Sequence, residues 1–274
     1  MNQFLTNIDY FLDMWVTLLE RTLFFKLWGM PLIVLWLMAG SVYLTLRMGF
    51  INARGLGHSL AVLRGDYDDP DEVGEVSHFQ ALATAMSATV GLGNIAGVAI
   101  AIQLGGPGAV LWMTVAGLLG MTTKFVECTL AQQYRVVQEG QVLGGPMYYL
   151  SQGLAERGLK PMGQLLAVTF AILCMVGALG GGNMFQANQS GMAVAALGEQ
   201  LQWAWLSNPR LYGVVLATTV AAVIIGGIKR IAQVASTIVP TMVGLYLTAA
   251  FWIVFHHLGD VPSAMGQIWH SAWH

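Results

Sequence analysis

Met86-Ser87-Ala88-Thr89-Val90-Gly91-Leu92-Gly93-Asn94-Ile95-Ala96-Gly97 lies near the middle of a run, Val76–Thr123, without a single Asp, Glu, Lys or Arg. That run has 48 residues, enough for two crossings of a hydrocarbon core at about 20 residues each. Gly105-Gly106-Pro107-Gly108 divides it as a turn should, giving helices over Phe79–Leu104 and Ala109–Phe125. The rest of the chain agrees with a bilayer as solvent. Of its 274 residues 56% are hydrophobic and 9% charged, against about 25% charged in a soluble domain. Mean hydropathy is +0.63. The net charge of -2 speaks against a nucleic-acid partner.

Four further charge-free runs follow the same logic: Leu27–Leu46, Pro161–Gly198, Leu211–Ile228 and Ile231–Gly259. The longest of these carries Asn183, Gln186, Asn188, Gln189 and Ser190 in its second half. Unpaired amides facing lipid cost several kcal/mol, so it reads as one long helix with a polar face over Gly163–Leu197. The fold class is therefore all-α integral membrane, with six transmembrane helices. Residues 1–26 read as an N-terminal amphipathic segment, its helix Phe11–Phe25 lying at the interface. Residues 27–46 form a first span, 47–75 a cytoplasmic loop, and 260–274 a tail. No signal peptide is evident.

Basic residues orient the bundle, because cytoplasmic loops are enriched in them. With the N-terminus outside, the inner segments hold Arg47, Arg54, Arg64, Lys124, Arg135, Arg157, Lys160, Lys229 and Arg230, nine of the twelve Lys and Arg. Both termini are then extracytoplasmic, and the long inner segments are Met48–Glu75 and Lys124–Lys160. The acidic cluster Asp66, Asp68, Asp69, Asp71, Glu72 and Glu75 reads as a solvated loop.

The opening stretch has an odd centre for a lipid-crossing helix. Each glycine weakens helix by about 1 kcal/mol relative to alanine and lets backbone approach a ligand. An interrupted helix exposes N–H groups that favour a carboxylate and carbonyls that favour a cation. Irregular backbone at this depth is tolerated only where it lines a cavity or is buried in protein. Other readings stand beside a binding site. Gly93 and Gly97, four apart, fit a helix-packing face. A simple kink is another. A dinucleotide fingerprint requires a soluble strand–turn–helix unit, which the charge-free run excludes.

Gly180-Gly181-Gly182-Asn183-Met184-Phe185-Gln186 forms a second polar cluster. Asn183, Gln186 and Ser190 recur at i, i+3 and i+7 and so share one helix face. They line a cavity shared with the first cluster or tie helices together by hydrogen bonds. The remaining chemistry is sparse. Cys128 and Cys174 read as buried free thiols. Lys124 and Glu127 read as a local ion pair. His256-His257 is interfacial, and His270 and His274 lack an acidic partner for a metal. No nucleophile–base or paired-carboxylate arrangement stands out, so the chain is not read as an enzyme.

Several ordered motifs resemble the sodium:alanine symporter family. They are Phe79-Gln80-Ala81-Leu82-Ala83-Thr84, Gly91-Leu92-Gly93-Asn94-Ile95-Ala96-Gly97-Val98, Gly105-Gly106-Pro107-Gly108, Gly144-Gly145-Pro146-Met147-Tyr148-Tyr149-Leu150, Gly182-Asn183-Met184-Phe185-Gln186-Ala187-Asn188 and Gly226-Gly227-Ile228-Lys229-Arg230-Ile231. The resemblance runs from Met48 to about Gly259. It implies a fold like the bacterial leucine transporter, two five-helix inverted repeats preceded by one extra helix. Residues 76–259 would be the first repeat, and the second repeat is expected to be absent from this chain.

The resemblance also implies Na⁺-coupled, or in some members H⁺-coupled, uptake of a small neutral amino acid, alanine or glycine, at the bacterial inner membrane, with no other cofactor. The backbone at Leu92 and Gly93 would receive the substrate carboxylate, and the Thr89 carbonyl the amino group. Asn94 and the Thr89 carbonyl would hold one Na⁺, the Ser87 and Val90 carbonyls a second. Gly181 and Gln186 would line the pocket. Two departures are visible: Leu92 stands where many relatives have Thr, and family members are considerably longer. The implied partners are the amino acid, Na⁺, the lipid bilayer and the missing C-terminal repeat. A solute-binding or interaction module without transport, and a non-functional fragment, are the other readings.

Overall fold

The computed structural model describes residues 2–27, 29–67, 74–139 and 141–273, with backbone alone at residues 2–9, 11, 12 and 92. In chain order the elements are α1 (Asn2–Leu23), β1 (Lys26–Leu27), β2 (Met30–Pro31), α2 (Leu32–Arg47), α3 (Ile51–Arg54), α4 (Leu56–Arg64), α5 (His78–Thr89), α6 (Leu92–Gly105), α7 (Ala109–Gln133), β3 (Val136–Gln138), β4 (Gln141–Leu143), α8 (Pro146–Glu156), α9 (Lys160–Gly177), a π segment (Ala178–Met184), α10 (Phe185–Gln200), α11 (Pro209–Ile224), α12 (Gly227–His256), a 3₁₀ turn (Leu258–Asp260) and α13 (Val261–Trp273). Four helical stretches are long and apolar enough to cross a membrane: His78–Gly105, Ala109–Gln133, Lys160–Gln200 and Gly227–His256. Leu32–Arg47 and Pro209–Ile224 are shorter apolar helices. Large apolar side chains face outward along them, with Trp36 76%, Val214 65% and Leu104 86% exposed. Water does not tolerate such surface over whole helices, and lipid does. The protein is a multi-pass membrane protein.

The chain divides into two units by contact. The first joins Met1–Leu56 to Thr114–Val126. There α2 meets the middle of α7 through hydroxyls. Ser41 Oγ lies 3.0 Å from Thr123 Oγ1, and Thr45 Oγ1 lies 3.3 Å from Thr122 Oγ1 and 2.7 Å from Ser41 O. Thr45 and Thr122 are buried. Such hydrogen bonds hold helices together where the hydrophobic effect between them is weak. Asn52 Nδ2 donates to Leu118 O at 3.0 Å.

The second unit comprises Gly57–Met113 and Glu127–His274. Ser77 and Gln80 start α5 with a reciprocal capping box, Gln80 N–H on Ser77 Oγ and Ser77 N–H on Gln80 Oε1. α5 packs along α12, and the buried residues of the two helices are small: Ala83 on α5, and Ala232, Ala235 and Val239 on α12. Ala232, Ala235 and Val239 fall on one helix face at i, i+3 and i+7, and small side chains let backbones come close. α8 and α9 form a tight helical hairpin. A Cβ on Gly163 would stand 2.6 Å from Leu150 O, so any side chain there forces the two helices to shift.

Several expectations are corrected. The segment Lys124–Lys160 is not a plain loop. α7 runs on to Gln133, and at 25 residues, about 37 Å, it exceeds the hydrocarbon thickness and carries Lys124 and Glu127 inside its last turns. The hairpin β3–β4 and α8 fill the rest, and hairpins this short leave the chain all-α in class. The Glu75 carboxylate accepts the Val142 N–H at 3.1 Å, tying the approach to α5 onto that hairpin. Tyr134 donates to Glu156 Oε2 at 2.8 Å. That bond is the main cause that raises the phenol's pKa above its ordinary value. Lys229 and Arg230 sit in the first turn of α12 rather than in a loop. Met48–Glu75 contains α3 and α4, and the tail at 260–274 contains α13. Cys128 and Cys174 are exposed, because their helix faces are ones this chain does not cover. Asp68, Asp69, Asp71, Glu72 and His274 lie outside the described residues.

Candidate functional site

The long helix His78–Gly105 is interrupted where the glycines begin. α5 ends at Thr89, and its last bond is Val90 N–H to Met86 O at 2.7 Å. Gly91 is extended (φ -147°, ψ -163°), which turns the chain out of the helical ladder. α6 restarts at Leu92, with Asn94 N–H and Ile95 N–H on Gly91 O at 3.1 and 3.2 Å. A helix end leaves its terminal groups without intrahelical partners. Here the last carbonyls of α5, from Ser87 to Thr89, and the first N–H groups of α6, Leu92 and Gly93, meet at one point in the membrane span. The dipoles put partial negative charge on the first set and partial positive charge on the second.

The side chains around the break leave this backbone accessible. Ser87 Oγ and Thr89 Oγ1 turn back onto their own helix, at 2.7 Å from Thr84 O and 2.9 Å from Ala85 O. Ser87, Thr89, Gly93 and Asn94 are exposed, and Val90 and Gly91 are half-buried. The side chain of Leu92 lies outside the described ones. Cβ atoms added at Gly91, Gly93 or Gly97 would meet nothing within 4 Å. The helix-packing reading of Gly93 and Gly97 is therefore not realised among the described residues. The small-residue packing occurs on α5 and α12 instead.

The second cluster is also helical, with a difference. Lys160–Gln200 is one continuous helical stretch of 41 residues, but Ala178–Met184 is π-helical. The Phe185 N–H bonds to Gly180 O, five residues back, where an α-helix reaches four. Gly180-Gly181-Gly182 makes this widening inexpensive, since glycine has little α preference to lose. Gly181 and Gln186 are exposed, with open space beside Gly180, Gly181 and Gly182.

Ser190 takes the bundle-holding role that was one of two readings for it. Tyr212 Oη on α11 donates to Ser190 Oγ at 2.7 Å, and Ser190 donates to Gln186 O at 2.7 Å. Gly191 leaves room for the Tyr212 ring, 3.3 Å from an added Cβ. Tyr212→Phe should lower stability by about 1 kcal/mol. Thermal unfolding of the purified full-length protein in detergent checks this, and an unchanged midpoint would remove the bond from the fold's support.

Each cluster packs chiefly against elements of its own neighbourhood. α5 lies on α12, while the π segment meets its own neighbours α9 and α10. A shallow groove lined by Thr237, Ile238, Thr241, Met242 and Leu245 belongs to α12 alone and includes no candidate residue. It is an apolar helix face rather than a site. His256 Nδ1 and His257 Nδ1 sit against the carbonyls of Trp252 and Ile253, at 3.1 and 3.0 Å. Among the described residues no group of His, Cys, Asp and Glu could hold a metal ion.

Sequence reasoning missed the π geometry, although three consecutive glycines marked the place. It also missed Tyr212, because nothing local links that residue to Ser190.

Relatives add an independent line. The chain is 43% identical over 247 residues to the sodium/alanine symporter AgcS of Methanococcus maripaludis, covering 90% of this chain and 52% of that one. It is 36% identical over 228 residues to the amino-acid carrier protein AlsT of Bacillus subtilis, 83% and 45% of the two chains. It is 35% identical over 248 residues to the uncharacterized transporter YaaJ of Escherichia coli, 90% and 48%. The chain thus spans about half the length of the curated relatives it matches. The profile of one family covers residues 12–274, the interrupted helix and the glycine-rich π segment included. With its apolar helices, its helix break and these relatives in agreement, the chain belongs to the sodium:alanine symporter family.

Proposed function

We propose that this chain is half of a symporter that couples Na⁺ to the uptake of a small neutral amino acid, alanine or glycine, by alternating access. The observation that carries the reading is the interruption at Val90-Gly91, with a glycine-lined backbone left open in a membrane-spanning helix. The N–H groups of Leu92 and Gly93 receive the substrate carboxylate, and the Thr89 carbonyl receives its amino group. Asn94 and the Thr89 carbonyl hold one Na⁺, and the Ser87 and Val90 carbonyls contribute to a second. Gly181 and Gln186 line the pocket from the long helix. The six apolar helices are six spans: an extra N-terminal helix and the first inverted repeat of a leucine-transporter-like fold. A second repeat closes the site, which is why the candidate residues are exposed here. Both ends of this half face the outside of the bacterial inner membrane. H⁺ replaces Na⁺ as the coupling ion in the second form of the reading.

Proteoliposomes holding the full-length protein test it. Labelled alanine should accumulate when Na⁺ is high outside, and should stop when choline replaces Na⁺. Accumulation driven by a pH gradient alone would select H⁺. Absence of uptake with every small neutral amino acid would overturn the transport reading, and saturable binding without uptake would leave a solute-binding module.

A further inference from the structure

The turn Gly105-Gly106-Pro107-Gly108 does more than separate α6 from α7. A Cβ on Gly108 would lie 2.5 Å from Ala272 N and 2.5 Å from Ser271 O, and one on Gly106 3.0 Å from Ser271 Oγ. The turn is a seat for the last turn of α13. Trp112, one turn into α7, donates from Nε1 to Ala272 O at 3.0 Å. Its ring meets Trp273 edge-on at 5.4 Å between centroids, and Trp273 meets Trp269 in the same way at 5.9 Å. At its other end α13 follows α12 after a single 3₁₀ turn. It therefore starts at the end of one membrane-crossing helix and finishes at the beginning of another. With 13 residues, about 20 Å, it is too short to cross a bilayer. Its length and its two ends suit a helix lying along the membrane face.

Its residues divide into three faces at helical spacing. Ile268, Ser271 and Ala272 are half-buried and make the docking face. Ser263, Gln267 and His270 fall together on a polar face. Val261, Met265, Trp269 and Trp273 recur at i, i+4, i+8 and i+12 and are exposed, at 38, 61, 63 and 58%. From Val261 to Trp273 there is no Asp, Glu, Lys or Arg. A neutral helix with a tryptophan-bearing apolar stripe, fastened where two spans emerge, matches the boundary between headgroups and acyl chains, where indole rings concentrate.

We propose that α13 is an interfacial helix whose partner is the bilayer, its Val261–Met265–Trp269–Trp273 stripe immersed at the headgroup–acyl boundary and its Ser263–Gln267–His270 face turned to water. The glycine turn is the protein side of that strap, and Trp112 extends the aromatic anchor onto α7.

The test uses full-length protein in phosphatidylcholine nanodiscs, with Cys128→Ser and Cys174→Ser as background. A nitroxide is placed at Met265→Cys or at Gln267→Cys, and power saturation compares collisions with oxygen and with a water-soluble nickel chelate. The oxygen-to-nickel ratio should be several-fold higher at position 265 than at 267. Equal ratios would mean a helix standing in water and would overturn the proposal. Protection of position 265 from both reagents would mean cover by protein, a second copy or another segment, and would overturn it too. Trp269→Phe in the labelled protein should keep the difference, and Trp269→Gln should lower the ratio at 265.

Discussion

Asn94→Ala in the full-length protein should raise the Na⁺ concentration for half-maximal alanine uptake by about 10- to 100-fold, from the ~1.5–3 kcal/mol that a bond to a charged group contributes. The change is clean in structural terms. Asn94 is exposed in the first turn of α6, and its N–H bond to Gly91 O does not involve the side chain. Alanine is the best helix former, so the restart of the helix survives. The ligand role and the structural role are thus separable at this position. Uptake against Na⁺ concentration in proteoliposomes reads the effect, with alanine KM at saturating Na⁺ as control. An unchanged Na⁺ response would remove Asn94 from the ion site and leave the helix break without a side-chain ligand.

The second large effect is on stability. Gly163→Leu should separate α8 from α9, since the new Cβ would meet Leu150 O at 2.6 Å, Leu154 Cβ at 3.0 Å and Ser151 O at 3.3 Å. Two of those three atoms are backbone and cannot swing away. Overpacking of this kind costs ~1–3 kcal/mol for one added methylene, and leucine adds three more carbons beyond the clashing one. The full-length variant should lose most of its folded yield in detergent, while Gly163→Ala should survive with a lower unfolding midpoint. Equal thermal stability of Gly163→Leu and the parent protein would show that this crossing does not support the fold.

These two positions differ in how they could be found. Asn94 stood out as a candidate ligand from local sequence, because an amide beside three glycines in a charge-free run needs partners. Gly163 did not. It looks like any helix glycine until α8 is seen to fold back upon α9. Gly93, Gly181 and Gln186 are likewise exposed in this chain, which no local sequence feature announced.

The amino-acid sequence by itself determined the solvent, the apolar helices and the place of the break, since burial in lipid and glycine's weak helix preference act residue by residue. It also determined the family, through several motifs in fixed order. Tertiary structure decided the rest: the π turn at Ala178–Met184, the Tyr212–Ser190 bond, and the seating of α13 on the glycine turn. Each of these depends on contacts between segments tens or hundreds of residues apart, or on how a helix strains to make them. Periodicity carries no record of such contacts, because the same pattern of apolar residues serves a face turned to lipid and a face turned to another helix.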